Sequence, residues 1–293
     1  MPEDKSTSLV NLGNLSKPAD TLIKKVSSAV GGIFEPWQIE RVAKAEAKAD
    51  LIKAESEIEI TELHRRAIHR FVEEEALRQL NMEKITEKAL PLLDEDSDPN
   101  EMEDDWVTNF FDKSRIVSDE DMQNLWSSVL AGEANAPGTY SKRTVNFLSG
   151  LDKRDAELFQ ALCSFGCVVG KFSPLIFDFE DQIYIDNGLD FSTLNYLDSI
   201  GLIQFGHITG FIRKGLPKTY SVFYCGKELI LTLEKDSENQ LPIGKVLLTS
   251  VGEELATVCK ASGIDGFEDY VKEKWAKYIP HENNTEQSSE DDA

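Results

Sequence analysis

His64 and His69 share a short stretch with Arg65, Arg66 and Arg70, residue types that bind anions or, for the imidazoles, ligate metals. Five positions apart on a helix, the two histidines stand roughly 140° from one another, so they do not converge on one metal. With the arginines beside them they are expected on solvated helix faces, and this basic patch is the best anion-binding candidate in the chain as the alternative. A second group, Glu101, Glu103, Asp104 and Asp105, offers the hard oxygens that hold Mg²⁺, and Lys113 or Arg115 follows within reach for phosphodiester cleavage. Charge runs ahead of a helix usually supply first-turn charges and solvation, so no metal site is assigned. Cys163 and Cys167 are four apart, which places both on one face of a helix. With Cys225 and Cys259 they are too few for a disulfide framework, and buried reduced thiols are expected. Glu133 and Arg143 flank the Pro137-Gly138 turn and are expected to pair, tying two helices together. No Gly-rich phosphate loop, Gly-x-Ser-x-Gly elbow or His-Glu-x-x-His motif occurs. The sequence therefore assigns no catalytic residue, no cofactor and no metal.

These groups are carried by 293 residues, enough for about two domains. Apolar residues make up 41% and charged residues 29%, the composition of a globular protein. The imbalance is in charge: 31 Lys and Arg face 53 Asp and Glu, giving −22. A chain this acidic is a poor general partner for nucleic acid, because that affinity comes from cations displacing counterions. There is no run of about 18 apolar residues that would cross a membrane. Met1-Pro-Glu-Asp-Lys5 lacks the basic and apolar regions of a signal peptide. A cytoplasmic location is expected, with the inner membrane as a peripheral site.

The elements follow from periodicity. In residues 1–37, Leu22, Ile23, Val26, Val30, Ile33 and Phe34 recur at spacings of three and four, an amphipathic helix interrupted at Gly31-Gly32 and ended by Pro36. One use for it is docking on the rest of the protein or on a second copy. The other is peripheral membrane contact through Ile23, Lys24, Lys25, Ile33, Phe34 and Trp37. Residues 38–91 contain no Gly, and Pro91 closes the segment, so one long helix or two nearly continuous ones are expected. Fifty residues would span roughly 75 Å, too long to stand without a partner. The small residues of 43–49 permit close helix approach, and Ile60, Leu63, Ala67 and Phe71 continue a stripe. A homo-oligomer through residues 38–91 is expected, coiled-coil-like and of open strand number.

Residues 91–104 read as an acidic linker. A helical module spans 100–167, with Ser118 as an N-cap, Gly132 ending one helix and Ser141 capping the next. Trp106, Phe110, Phe111, Trp126, Leu130 and Phe147 are its expected core. Residues 168–280 change texture: strands at 175–179, 182–185, 202–205, 220–224, 229–233 and 246–249, with helices at 192–200, near Val251, and from Phe267 to Tyr278. Residues 281–293 read as a disordered acidic tail.

The order Leu194-x-x-Leu197-x-x-x-Gly201-Leu202-Ile203, then strands, then Leu248-Thr249-x-x-Gly252-x-x-Leu255, resembles a winged-helix module. The first motif matches its recognition helix and wing strand, the second its return strand and closing helix. Two departures stand out. Phe172–Ile185 reads as strands where the family has a second helix, and residues 192–200 contain Asp198 but no Lys or Arg. Major-groove reading rests on Arg, Lys, Asn or Gln, and Asn195 alone is insufficient. The resemblance implies the shape, used for protein contact more than for DNA.

A second resemblance covers most of the chain. Gly32-Ile-Phe-Glu-Pro36-Trp-Gln-Ile-Glu-Arg41-Val-Ala-Lys-Ala-Glu-Ala47, Asp104-Asp-Trp106, Ser118-Asp-Glu-Asp-Met-Gln123-x-Leu-Trp126, Leu130-Ala-Gly-Glu133, Pro137-Gly138 and Ser141-x-Arg143-Thr144 resemble an uncharacterised bacterial family of unknown function. The middle motif is also similar to segments of bacterial abortive-infection proteins. That implies a bacterial cytosolic protein in phage defence, and no catalytic residues come with it.

The expected fold is mostly α with a smaller α+β C-terminal part: a long N-terminal helix, a central helical module and a winged-helix-like C-terminal domain. The expected function is that of a non-enzymatic oligomeric scaffold or adaptor whose protein partner is open. A nucleic-acid-binding or metal-dependent nuclease effector and a membrane-associating effector are the alternatives.

Overall fold

The computed structural model describes residues 15–31, 61–259 and 261–279. Ile33, Phe34, Trp37, residues 38–60 and the 281–293 tail lie outside the described residues. The chain divides into two compact units, Met1–Lys153 and Arg154–Ala293. The helical module expected over 100–167 therefore gives its last helix to the second unit, and the described parts of 1–37 and 38–91 belong to the first.

Helix α1 (Lys17–Val30) starts at Ser16, whose hydroxyl accepts from Ala19 N–H, and stops at Gly31 with φ 84. It buries Ala19, Leu22 and Val26 against the turn Pro99–Glu101 and helix α3 (Asp104–Ser114). Helix α2 (Glu62–Ala89) is capped by Thr61, and its second half buries Asn81, Met82, Ile85, Thr86 and Ala89 on helix α4 (Glu120–Asn135). Two local expectations change here. The N-cap of α4 is Asp119, not Ser118: its carboxylate accepts from Asp121 and Met122 N–H at 3.1 and 3.0 Å. A charged acceptor gains more from the helix dipole than the hydroxyl one residue earlier. Gly132 does not end α4, which runs on to Asn135. Helix α5 (Lys142–Leu148) starts at Ser141 as expected, the hydroxyl accepting from Thr144 N–H.

The first unit's core joins Trp106, Phe110, Phe111, Trp126 and Leu130, all buried. Phe110 stacks on Trp106 and meets Trp126 edge-on, both with ring centroids 5.1 Å apart. Phe147 is only half-buried; Val145 and Leu148 face the core from α5 instead. The 91–104 stretch is less of a linker than its charge suggested, since Pro99 and Met102 are buried.

All the described strands lie in the second unit. After helix α6 (Lys153–Cys163) come β1 (Gly166–Val169) and β2 (Lys171–Pro174), then α7 (Gln182–Ile185), α8 (Phe191–Ser199) and β3 (Ile203–Phe205). Strands β4 (Phe211–Leu216), β5 (Thr219–Tyr224), β6 (Lys227–Thr232), β7 (Asn239–Gly244) and β8 (Val246–Leu248) follow, then α9 (Ser250–Ala256) and α10 (Phe267–Lys274). The pairings nest: β3 with β8, β4 with β7, β5 with β6, and the sheet β2-β1-β5-β6 extends from the innermost hairpin.

The expected strands at 175–179 and 182–185 are not formed. Residues 182–185 make the short helix α7, and in 175–179 only Ile176 bridges, to Gly244. Tertiary packing overrides β propensity here. Tyr184 is buried among Phe165, Phe267 and Tyr270, donates its hydroxyl to the Leu175 carbonyl at 2.7 Å and accepts from Phe177 N–H. Strands β1, β4 and β7 were not anticipated. Arg213, Lys214 and Gly215 break the apolar pattern of β4, and Pro242 sits within β7, where its missing N–H is tolerated because among the described residues β4 is the one strand laddered to β7, the Ile176 bridge falling at Gly244 instead.

Candidate interaction surface

The feature that stands out is the bare half of α2. Leu63, Ile68, Phe71 and Leu77 are 65%, 43%, 63% and 54% exposed, and Ala67 is exposed with them. Leu63, Ala67, Ile68 and Phe71 precede Asn81, Ile85, Thr86 and Ala89 by ~18 positions, which is about five helical turns. Each therefore shares the angular position of a residue that is buried. One face thus runs the length of α2, covered by α4 in its second half and uncovered among the described residues in its first. The sequence stripe of Leu63, Ala67 and Phe71 foreshadowed this; Ile68 and Leu77 were missed, and Ile60 lies outside the described residues.

Two of the three arginines of this segment are met by carboxylates of their own helix. Arg65 pairs with Glu62 at 2.6 Å and Arg70 with Glu74 at 3.4 Å, while Arg66 is exposed. His69 stands 3.8 Å from Glu73, and Arg78 reaches Glu74 and Glu75. These are one-turn pairs along a helix, each individually weak.

The acidic run is divided among structural tasks. Glu103 occupies the N-cap position of α3, and Asp104 and Asp105 fill its first turn. Asp104 pairs with Lys25 at 2.6 Å and Asp105 with Lys142 at 3.7 Å. Lys113 and Arg115 lie at the other end of α3, about 14 Å away, and both pair with Asp112 at 3.0 Å. The Lys113 hydrogen bond holds the Asp112 carboxyl below its usual range. Among the described residues no group of three or more His, Cys, Asp or Glu is placed to hold a metal ion.

Glu133 accepts from the backbone N–H of Gly138 at 2.7 Å and of Tyr140 at 2.8 Å, so it clamps the turn after α4. Arg143 is exposed, and the expected Glu133–Arg143 ion pair is not formed among the described residues. In α1 the centre of the apolar stripe is spent inside the unit. Leu22 and Val26 are buried, Ile23 is half-buried, Lys24 pairs with Asp20, and Lys25 bonds the Asn100 carbonyl. No described helix is long and apolar enough to cross a membrane.

Cys163 ends α6 and Cys167 lies on β1, so they do not share a helical face. The adjoining Cys259 thiol and burial push the Cys163 thiol well up; burial pushes Cys167 to about 12. Both stay protonated and unreactive at neutral pH. Beside Cys167, Tyr224, Lys227 and Glu268 line a cavity of about 20 Å³, room for one water and not for a metabolite. On α8, Asp190 caps Thr193 N–H, Asp198 accepts from Phe205 N–H, and Tyr196 bonds Asp155. The helix itself carries no Lys or Arg.

A family model described as Protein of unknown function (DUF2806) matches residues 65–272, from the bare half of α2 to the last helix of the second unit. Comparison with curated proteins and with solved structures yields no match.

Proposed function

The chain belongs to the DUF2806 family of proteins of unknown function, and from that premise we propose that it is a non-enzymatic oligomeric scaffold or adaptor that self-associates through residues 38–91. One observation carries this reading: the exposed apolar face of α2, which continues the face buried lower on the same helix. Fully burying a side chain of Leu or Phe size is worth about 1.5–3 kcal/mol, so several such residues on one face favour a partner. Most of the stability of a helix in a protein comes from packing its apolar face. The coiled-coil character of the 38–91 segment belongs to the same proposal.

The second unit supplies a protein-contact module in this reading. Its order of α7, α8, β3, β8 and α9 is compatible with a degenerate winged helix, and the absence of Lys and Arg from α8 suits protein better than DNA. The abortive-infection likeness of the central motif motivates a role in phage defence in the bacterial cytosol. Light scattering on the full chain at micromolar concentration tests the core of the proposal. A mass above one chain is expected, falling to one chain in Phe71→Glu; a strict monomer for the wild type overturns it.

A further inference from the structure

We propose that Cys163 and Cys259 form a redox-sensitive pair, which hydrogen peroxide converts into a disulfide fastening the end of α6 to the stretch after α9. This inference concerns the second unit and does not depend on self-association.

The packing that brings the two thiols together is built from their neighbours. Tyr224 on β5 donates its hydroxyl to the Ser164 carbonyl at 3.1 Å and accepts from the Ile264 N–H at 2.6 Å. One side chain thus holds the residue after Cys163 close to Ile264. Phe165 and Phe267, both buried, meet edge-on beside it, with ring centroids 4.8 Å apart. Cys163 is the last residue of α6, and the Cys259 N–H bonds the Ala256 carbonyl at the end of α9. Between these fixed points the Cys259 thiol lies in hydrogen-bonding contact with that of Cys163.

The two sulfurs differ in access, and access sets their order of reaction. Cys259 is partly exposed, whereas Cys163 is 3% exposed. Cys259 is therefore the thiol that a dissolved oxidant reaches. Its sulfur attacks one oxygen of the peroxide, the O–O bond breaks, and Cys259 becomes a sulfenic acid as one water leaves. The Cys163 sulfur then attacks the Cys259 sulfur. An S–S bond forms, the S–O bond breaks, and the hydroxyl leaves with the Cys163 proton as a second water. Two thiols are oxidised and one peroxide is reduced. Burial keeps reagents in solution from Cys163, but it does not keep Cys163 from a sulfur already beside it.

The bridge closes a loop of about 100 residues that holds α7, α8, β1 to β8 and α9. A cross-link over so long a loop restricts the unfolded chain, so the oxidised second unit should resist unfolding more than the reduced one.

The full-length chain carrying Cys225→Ser, which removes the exposed thiol, tests this with hydrogen peroxide and mass spectrometry of unreduced peptides. The expected product is a Cys163–Cys259 cross-link, two hydrogen atoms lighter than the reduced chain and reversed by dithiothreitol. Its urea midpoint should lie above that of the reduced chain. Adding Cys163→Ser should instead leave a Cys259 sulfenic acid that a 1,3-diketone traps. Thiols that stay reduced, a Cys259 that goes on to sulfinic acid, or a cross-link that uses Cys167 each overturn the pairing. A Cys163–Cys259 cross-link that leaves the urea midpoint unchanged or lowers it overturns the fastening. Circular dichroism matching wild type before oxidation shows that the variants are folded, and the first protein decides the pairing by itself if Cys163→Ser does not fold.

Discussion

Trp106 donates its indole N–H to the backbone carbonyl of Tyr140 at 2.6 Å, tying α3 to the segment that enters α5. That bond holds the Tyr140 backbone while its ring lies against Gly132 of α4. A Cβ at position 132 would come within 2.8 Å of the Tyr140 ring. The family-like motif Leu130-Ala-Gly-Glu133 thus has a packing reason for its glycine. Gly132→Ala should destabilise the first unit by about 1–3 kcal/mol through overpacking, although Ala is the better helix former by ~1 kcal/mol. Urea denaturation checks it, and a stabilised variant would show that the buried ring gives way.

Trp126 is fully buried and meets Phe110 edge-on, and its indole N–H has no hydrogen-bond partner among the described residues. Trp126→Ala is expected to cost about 3–5 kcal/mol, a large share of a domain's stability. Trp126→Phe should cost less, since it keeps most of the ring contact and removes the unsatisfied donor. His64→Ala on the exposed half of α2 should shift stability by less than about 0.5 kcal/mol. A Trp126→Ala protein that melts like wild type would place that residue outside the core.

Hydrogen bonds from Lys227 and Lys272 hold the Glu268 carboxyl at about 2, against an ordinary 4.5. A carboxyl depressed in the folded state adds stability above its unfolded value and loses that contribution as pH falls through the folded one. Wild type should therefore exceed Glu268→Gln in stability at neutral pH. The gap should narrow from about pH 4.5 downward and close near pH 2. Denaturation midpoints across that range measure it, and a gap that persists at the acid end would assign the effect to something other than ionisation.

The four thiols should separate by exposure. Cys225 is exposed at the β5–β6 turn, Cys259 is partly exposed, and Cys163 and Cys167 are buried with raised thiol pKa values. A thiol reagent at about pH 8 should label Cys225 first and reach Cys163 and Cys167 only on unfolding. Rapid labelling of Cys167 in the folded protein would contradict its burial.

Local signals settled much of the first unit. Three- and four-residue apolar spacing located α1, the described part of the long helix, and α3 to α5, and it picked out Trp106, Phe110, Phe111, Trp126 and Leu130 as core. The stripe at Leu63, Ala67 and Phe71 was legible for the same reason, because helical periodicity is written within a few turns. Contacts between distant segments were not legible. Whether Glu133 met Arg143 or the turn's backbone depended on where the turn placed its N–H groups. Whether 182–185 formed a strand or a helix depended on Tyr184 finding Phe267 and Tyr270, far along the chain. The nested pairing of β3 with β8 and β4 with β7 likewise joins short strands by cross-strand partners that no local pattern names. The sequence alone determined which faces are apolar. Which part of the α2 face the described residues cover, and which they leave exposed, only the tertiary structure decided, because coverage is a property of the neighbour and not of the helix that carries the face.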